Sequence, residues 1–191
     1  MKVTPLMIPD VLLIEPRVFE DARGFFFESF REDVFKKETS LNVSFVQDNQ
    51  SSSQKGVIRG LHFQQGEYAQ AKLVRVLQGS VLDVAVDIRK GSPTYGKSFS
   101  IELSENNQTQ LFIPRGFAHG FEVLSEQAVF FYKCDNFYNK AADAGILYSD
   151  PALNIPWQTP DSDRILSPKD IAQPLLRDIA GDLDFIYTPH Q

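Results

Sequence analysis

The chain has 191 residues, and 25 acidic residues outnumber 19 lysines and arginines to give a net charge of −6 at pH 7. A chain of this length can bury a sizeable apolar core, so we expect one domain spanning residues 1–191. The acidic balance argues against sequence-independent nucleic-acid binding, which depends on neutralising phosphates. The single cysteine, Cys134, excludes an internal disulfide framework, fits a reducing compartment and is expected to be buried on a strand.

The N-terminus does not resemble a signal peptide, because it lacks a long apolar core and is interrupted by Pro5, Pro9 and Asp10. No stretch of the chain approaches the apolar length needed to span a bilayer. The sequence therefore predicts a cytoplasmic protein that has no membrane partner.

In the first quarter of the chain, strand patterns at residues 11–14 and 17–19 are followed by a turn and a mostly strand-like aromatic run at 25–30. Residues 31–38 have the spacing of a short surface helix, with Phe35 turned inward. A further strand is predicted at 45–49. The serine-rich segment that follows it, residues 50–55, is compatible with a flexible loop.

Two central strands, at residues 72–77 and 81–88, are predicted from alternating apolar residues on either side of a turn at Gly79. In the second strand the larger apolar side chains share one face, and Asp83 and Asp87 lie on the other. A polar face on so apolar a strand suggests that it lines a pocket.

The second half continues with predicted strands at residues 99–103, 110–113, 121–124 and 128–134. From residue 136 the pattern becomes irregular, and a last helical turn is predicted at Ser167, which has the features of an N-cap. Short strands separated by turn signals at these intervals predict an all-β sandwich or roll.

The spacing of Gly56, His62, Gln64, Lys72 and Gly79 resembles the first cupin signature, and the run from Pro114 to His119 resembles the second. In metal-binding cupins the first signature supplies His, His and Glu, but here the latter two positions are Gln64 and Lys72. An ammonium group repels a divalent cation, so we expect no metal. His62 beside Lys72 and His119 instead suggests proton abstraction next to a carbonyl, with the enolate held by cationic groups.

Several longer motifs closely resemble the dTDP-4-dehydrorhamnose 3,5-epimerase family, over about residues 8–170. They are Arg23-Gly-Phe-Phe-Phe-Glu28, Phe45-Val-Gln-Asp-Asn49, Lys55-Gly-Val-Ile-Arg59-Gly-Leu-His62-Phe-Gln64, Ile113-Pro-Arg-Gly-Phe-Ala-His119-Gly-Phe121 and Phe131-Tyr132-Lys133. The resemblance implies a cupin-type jelly roll (a double-stranded β-helix) with a few short peripheral helices. It also implies a homodimer in which each N-terminal segment reaches the partner's active site.

The family's reaction is epimerisation of dTDP-4-dehydro-6-deoxy-D-glucose at carbons 3 and 5 by acid/base catalysis through an enolate, without a cofactor. The resemblance implies that His62, paired with Asp170, is the base and that Lys72 stabilises the enolate. Tyr132 is implied to return the proton from the opposite face. Binding of the sugar nucleotide is implied for Arg23, Glu28, Gln47, Asp48, Asn49, Arg59, His119, Tyr138, Asp143 and Lys169. Asp143 stands where the family usually has glutamate.

Several alternatives remain open at this level. The chain could be a monoepimerase of a related sugar nucleotide or a non-enzymatic sugar-nucleotide-binding cupin; a metal-dependent dioxygenase is more distant. Asp170 could be only a helix-capping acid, and Tyr138 is a rival to Tyr132 as the acid. Asp83 could pair with Arg75 or Lys72, or orient a histidine. His190 is expected to lie in a disordered tail without a function.

Overall fold

The computed structural model describes residues 1–189, so His190 lies outside the described residues. Within this range the chain forms thirteen strands and three short α-helices. The helices are α1 (Glu32–Thr39), α2 (Pro168–Ile171) and α3 (Leu176–Ile179). The strands are β1 (Lys2–Pro5), β2 (Leu12–Glu15), β3 (Phe19–Asp21), β4 (Gly24–Phe26), β5 (Gln47–Gln54), β6 (Ile58–Gln64), β7 (Lys72–Gln78), β8 (Ser80–Asp87), β9 (Ser98–Ser104), β10 (Gln110–Ile113), β11 (Phe117–Val123), β12 (Gln127–Cys134) and β13 (Asp143–Gly145).

The strands form two large antiparallel sheets and a small hairpin. The six-stranded sheet has the order β1-β2-β10-β7-β12-β5, the five-stranded sheet has the order β13-β6-β11-β8-β9, and β3 pairs only with β4. Apolar side chains of both large sheets pack in one core, with Val74 and Phe130 from the first and Ala85 and Phe121 from the second. Two antiparallel sheets packed face to face are the predicted jelly roll, which is confirmed.

Strand β8 separates its two faces as the alternation predicts. Val84 and Val86 belong to a second core, on the outer side of the five-stranded sheet, which the irregular C-terminal chain covers with Leu153 and Leu183. Ala85 points the other way, into the core between the sheets. The long irregular stretch therefore stabilises the sheet from outside, and on the inner side a cavity is lined by β6 and β11. The polar face of β8 does not line this cavity, contrary to the prediction, because Asp83 and Asp87 are completely buried.

The serine-rich segment is a strand and not a loop. Residues 47–54 form β5, which pairs with β12 along its whole length at the edge of the six-stranded sheet. Its polar residues do not show the apolar alternation by which strands are recognised, because neither of its faces packs entirely in a core. Of the aromatic run at 25–30 only its first two residues are in a strand, and β1, β6 and β13 were not predicted as strands.

Helix α1 covers part of the outer side of the six-stranded sheet. Phe35 is fully buried, as predicted, and packs edge-on against Phe45 and Phe112 at centroid distances of 5.6 and 5.5 Å. Cys134 is buried on β12, also as predicted. No helix within residues 1–189 is long and apolar enough to cross a membrane.

Candidate active site

A cavity of about 650 Å³ opens between the two large sheets at one end of the roll. The five-stranded sheet contributes side chains of β6 and β11, and the six-stranded sheet contributes side chains of β5, β7 and β12. The segment at α2 closes a third side. Its polar lining residues are Asn49, Gln50, Ser51, Arg59, His62, Lys72, His119, Tyr132, Ser167, Lys169 and Asp170.

His62 and Asp170 form a close pair in this cavity. Nε2 of His62 lies 2.5 Å from Oδ1 of Asp170, whose side chain is almost completely buried. The other carboxylate oxygen of Asp170 accepts a hydrogen bond from the Ser167 hydroxyl at 2.8 Å. Burial opposes ionisation of Asp170, but the hydrogen bonds from His62 and Ser167 outweigh it and hold the pKa below its usual value. An ionised carboxylate of this kind fixes the tautomer and orientation of the imidazole.

Asp170 makes the contacts that both of its considered roles require. The Ser167 side chain accepts a hydrogen bond from the Asp170 backbone N–H, so serine is the N-cap of α2 and Pro168 is its first residue. The helix cap therefore places the Asp170 carboxylate beside His62. Its side chain contacts the histidine, while its backbone N–H belongs to the capped turn.

Lys72, the first residue of β7, has no hydrogen bond or ion pair to another side chain within residues 1–189. Its Nζ atom lies 5.8 Å from the centroid of the Tyr132 ring. Burial lowers the pKa of Lys72, although the negative charges of Asp83 and Asp143 counteract the effect. Because it has no side-chain hydrogen-bond or ion-pair partner in the described part of the chain, Lys72 is available to contact an anion that enters the cavity.

Tyr132 faces the cavity from β12, in the sheet opposite to that of His62. Its hydroxyl makes no hydrogen bond within the described part of the chain. Burial raises the pKa of Tyr132 to about 12, so the phenol keeps its proton near neutral pH. Its protonated hydroxyl and the imidazole of His62 thus line the cavity from opposite sheets.

His119 on β11 is the register partner of His62 on β6. Its Nε2 lies 3.0 Å from Oδ2 of Asp83, and both side chains are buried. Of the roles considered for Asp83, orientation of a histidine is the one observed. Burial lowers the pKa of His119 despite the opposing effect of Asp83, which favours the neutral imidazole.

Arg59, which lines the cavity, is held by a hydrogen bond to a serine. Nε of Arg59 donates a hydrogen bond to Oγ of Ser53 at 3.0 Å, and no carboxylate within residues 1–189 forms an ion pair with Arg59. Asn49, two positions before Ser51 on the cavity side of β5, lies in register with Tyr132. An unpaired guanidinium beside neutral polar groups is suited to bind an anion such as a phosphate.

A second, smaller cavity of about 210 Å³ shares His62, Lys72 and Tyr132 with the first. Here the Tyr138 hydroxyl donates to Oδ2 of Asp143 at 3.2 Å, and Lys169 forms an ion pair with the same oxygen. The hydroxyl of Tyr138 is thus engaged by a carboxylate, whereas that of Tyr132 is not.

The structure does not bring all of the predicted binding residues to the cavity of one chain. Arg23, on the turn between β3 and β4, is exposed and pairs with Asp21, and Glu28 pairs with Arg31. Asp48 lies on the exposed face of β5 and pairs with Lys133. Gln47 is not among the lining residues of either cavity, and its side-chain oxygen accepts a hydrogen bond from the Tyr138 backbone N–H at 2.9 Å.

Sequence reasoning missed several lining residues. Ser51 follows Asn49 by two positions, so recognition of β5 as a strand would have placed both on one face. Ile165 and Leu166 also line the cavity, in the irregular segment before α2. Their only local signal is proximity to the predicted helix cap.

No group of three or more histidine, cysteine or acidic side chains that could hold a metal ion occurs within residues 1–189. At the cupin ligand positions, the amide oxygen of Gln64 accepts a hydrogen bond from the Asn139 backbone at 2.8 Å. Lys72 occupies the next position. The donor set therefore does not fit a divalent cation.

Proton removal and return are the chemistry that these side chains support, and together with the jelly roll they define a cupin-type isomerase. The family model for dTDP-4-dehydrorhamnose 3,5-epimerase matches residues 5–178, and the chain belongs to this family.

Three comparisons illustrate the relationship. The dTDP-4-dehydrorhamnose 3,5-epimerase of Shigella flexneri is 57% identical over 171 residues, which cover 90% of this chain and 93% of the relative. The dTDP-6-deoxy-D-glucose-3,5-epimerase of Legionella pneumophila, solved with dTDP-4-keto-L-rhamnose, has a TM-score of 0.94 at 46% identity over 98% of this chain and 99% of its own. A 3′-monoepimerase of Streptomyces bikiniensis, solved with dTDP-quinovose, has a TM-score of 0.87 at 31% identity over 96% and 92% of the two chains.

Proposed function

We propose that this protein inverts carbons 3 and 5 of dTDP-4-dehydro-6-deoxy-D-glucose to give dTDP-4-dehydro-L-rhamnose, within a single catalytic domain. One observation carries the proposal: a histidine–aspartate pair and an unpaired tyrosine face one cavity from opposite sheets. Inversion of a carbon requires a base and an acid on opposite sides of the substrate, because the proton is removed from one face and delivered to the other. Family membership supports the choice of substrate.

Both inverted carbons flank the ketone at carbon 4, so loss of either proton gives an enolate. His62 takes the proton, and Asp170 stabilises the resulting imidazolium through the 2.5 Å contact. The electron pair of the broken C–H bond moves to the ketone oxygen, whose negative charge the Lys72 ammonium stabilises. The electron pair returns to carbon as Tyr132 delivers a proton to the opposite face.

The nucleotide end of the substrate is assigned to the part of the cavity that Arg59 lines. Arg59 has no acidic partner within residues 1–189 and lines the same cavity as Ser51 and Asn49, which supports diphosphate binding there. Lys169, which lines both cavities and pairs with Asp143, is also assigned to the phosphate or the sugar. His119, held by Asp83, is assigned to the sugar, and Tyr138 and Gln47 to the nucleotide.

We also propose that the protein is a homodimer in which the hairpin of β3 and β4 completes the partner's site. The exposed side chains of Phe25 and Phe26 on this hairpin support the proposal, since clustered exposed aromatics are typical of interfaces. Arg23 and Glu28, which do not line the cavity of their own chain, then act in the partner's cavity. A cytoplasmic location remains a prediction based on the single buried cysteine.

A monoepimerase is the second candidate, because a 3′-monoepimerase shares this fold over nearly the whole chain. Proton NMR of the substrate in deuterated water, with the purified protein and a chelator present, separates the candidates. We expect deuterium at both carbon 3 and carbon 5, and inversion at both. Deuterium at one carbon would identify a monoepimerase, and none would identify a binding protein. Loss of activity on chelation would contradict the metal-free mechanism.

A further inference from the structure

We propose that Ser53 is a positioning residue that sets the orientation in which Arg59 meets the diphosphate of the substrate. The inference rests on the proposed function, since it assumes a sugar-nucleotide ligand. It gives a role to the serine-rich segment, whose members Ser51, Ser52 and Ser53 do not serve the proton-transfer steps. Ser53 does not line the cavity itself and would act only through the arginine.

The alternation of β5 determines which serine can reach Arg59. Ser53 is only 8% exposed and lies in register with buried Ala128 on β12, on the side that faces the five-stranded sheet. Ser52 lies on the exposed side, where its hydroxyl accepts a hydrogen bond from Gln127 at 2.8 Å. Ser51 shares the side of Ser53 and lines the cavity, but within residues 1–189 Arg59 forms its hydrogen bond with Ser53.

The hydrogen bond between Arg59 and Ser53 joins the two large sheets beside the cavity. Arg59 belongs to β6 in the five-stranded sheet, and its Nε donates to Oγ of Ser53 in the six-stranded sheet at 3.0 Å. Because Nε is engaged, the guanidinium cannot use its Nε side to bind an anion. It must present the two terminal nitrogens, whose N–H groups have no acceptor within residues 1–189.

Holding a long side chain in its binding geometry reduces the entropy that is lost when the ligand binds. A hydroxyl is sufficient for this purpose and adds no charge, so it does not neutralise the guanidinium as a carboxylate would. Ser53 is therefore expected to raise the affinity for the diphosphate without touching it and without affecting proton transfer.

The test is a set of affinities for dTDP and for thymidine, measured by calorimetry on the whole protein, together with kcat and KM. We expect Ser53→Ala to weaken dTDP binding and raise KM by about five- to tenfold, the effect of one hydrogen bond, with thymidine affinity and kcat little changed. Ser53→Thr, which keeps the hydroxyl, should retain most of the affinity. Ser52→Ala is the matched control and should behave as the wild type.

A double-mutant cycle gives a readout that a purely structural role would not produce. In an Arg59→Gln background, Ser53→Ala should cause no further loss of dTDP affinity, because the effect passes through the arginine. Unchanged dTDP binding in Ser53→Ala, an equal loss for thymidine, or an undiminished loss in the Arg59→Gln background would each overturn the inference. If wild-type protein binds dTDP but does not epimerise, the proposed function fails while these affinities still decide the role of Ser53.

Discussion

Nε2 of His62 lies 2.5 Å from Oδ1 of Asp170, although 108 positions separate the two residues along the chain. The pair joins the middle of β6 to the first turn of α2, and both side chains line the cavity. A pair whose members come from such distant segments forms only when the irregular C-terminal chain has folded over the roll.

Replacement of the base should abolish the reaction. We expect His62→Ala to show no detectable turnover and no deuterium incorporation, because no other side chain assigned to the site removes the proton. The half-buried imidazole contributes little to the core, so circular dichroism should stay close to wild type, while loss of the hydrogen bond to buried Asp170 should lower the melting temperature modestly. Residual exchange at either carbon would show that a second base operates.

Asp170→Asn should slow turnover less completely, because the base remains but its imidazolium is no longer stabilised by a charge. The folded-state pKa of Asp170 is lowered, so its contribution to stability is present above its ordinary pKa of about 4 and is lost as pH falls through the folded value. The stability gap between wild type and variant should therefore be constant near neutrality and shrink in acid. A normal rate with lowered stability would leave Asp170 only its capping role.

Tyr132→Phe should separate proton exchange from inversion. His62 can still remove a proton and return it to the same face, so hydrogen–deuterium exchange should continue while net inversion falls steeply, at carbon 5 above all. The ring and its packing against Phe130 are kept, so folding and dTDP affinity should barely change. Equal loss of exchange and inversion would make Tyr132 necessary for enolate formation. Unimpaired inversion would mean that the proton donor is another group, with Tyr138 or a bound water the next candidates.

The rate should fall at alkaline pH as Lys72 loses its proton. Its folded-state pKa lies below the usual 10.5, so enolate stabilisation is present below that lowered pKa and is lost as pH rises through it. The pKa of Cys134, about 11, and that of Tyr132, about 12, are too high to cause this limb. In Lys72→Arg the rate should be lower and the alkaline limb of kcat/KM should move upward. A limb at the same pH in both proteins would exclude Lys72 as its origin.

Shared sites can be tested by mixing two inactive proteins. If Arg23 serves the partner's cavity, Arg23→Ala and His62→Ala chains should complement each other in mixed dimers, one of whose two sites is intact. With free exchange of equal amounts, about a quarter of wild-type activity should return, since roughly half of all dimers are mixed. Two Arg23→Ala preparations mixed together are the control. No gain on mixing, or a monomeric mass in light scattering, would contradict the shared site.

Local sequence determined the features that depend on residue periodicity along a strand and on the residues at the start of a helix. Alternation at residues 81–88 predicted both faces of β8, and Ser167 followed by Pro168 predicted the start of α2. The chemical types of His62, Lys72 and His119 predicted proton abstraction through an enolate, because that depends on which side chains are available, whereas the role of Tyr132 was implied only by the family resemblance.

Tertiary structure alone decided how these groups meet. Strand β5 was not recognisable in full from its polar sequence, because an edge strand that faces solvent on one side and a cavity on the other needs no apolar alternation. The same strand brings Ser53 to Arg59 on the facing sheet, a contact that neither residue's immediate neighbours encode. Likewise, Tyr132 is opposite His62 only because their strands belong to different sheets of the roll. Spacing along a chain specifies which side chains share a face of a strand, whereas the distance between sheets depends on how their cores pack.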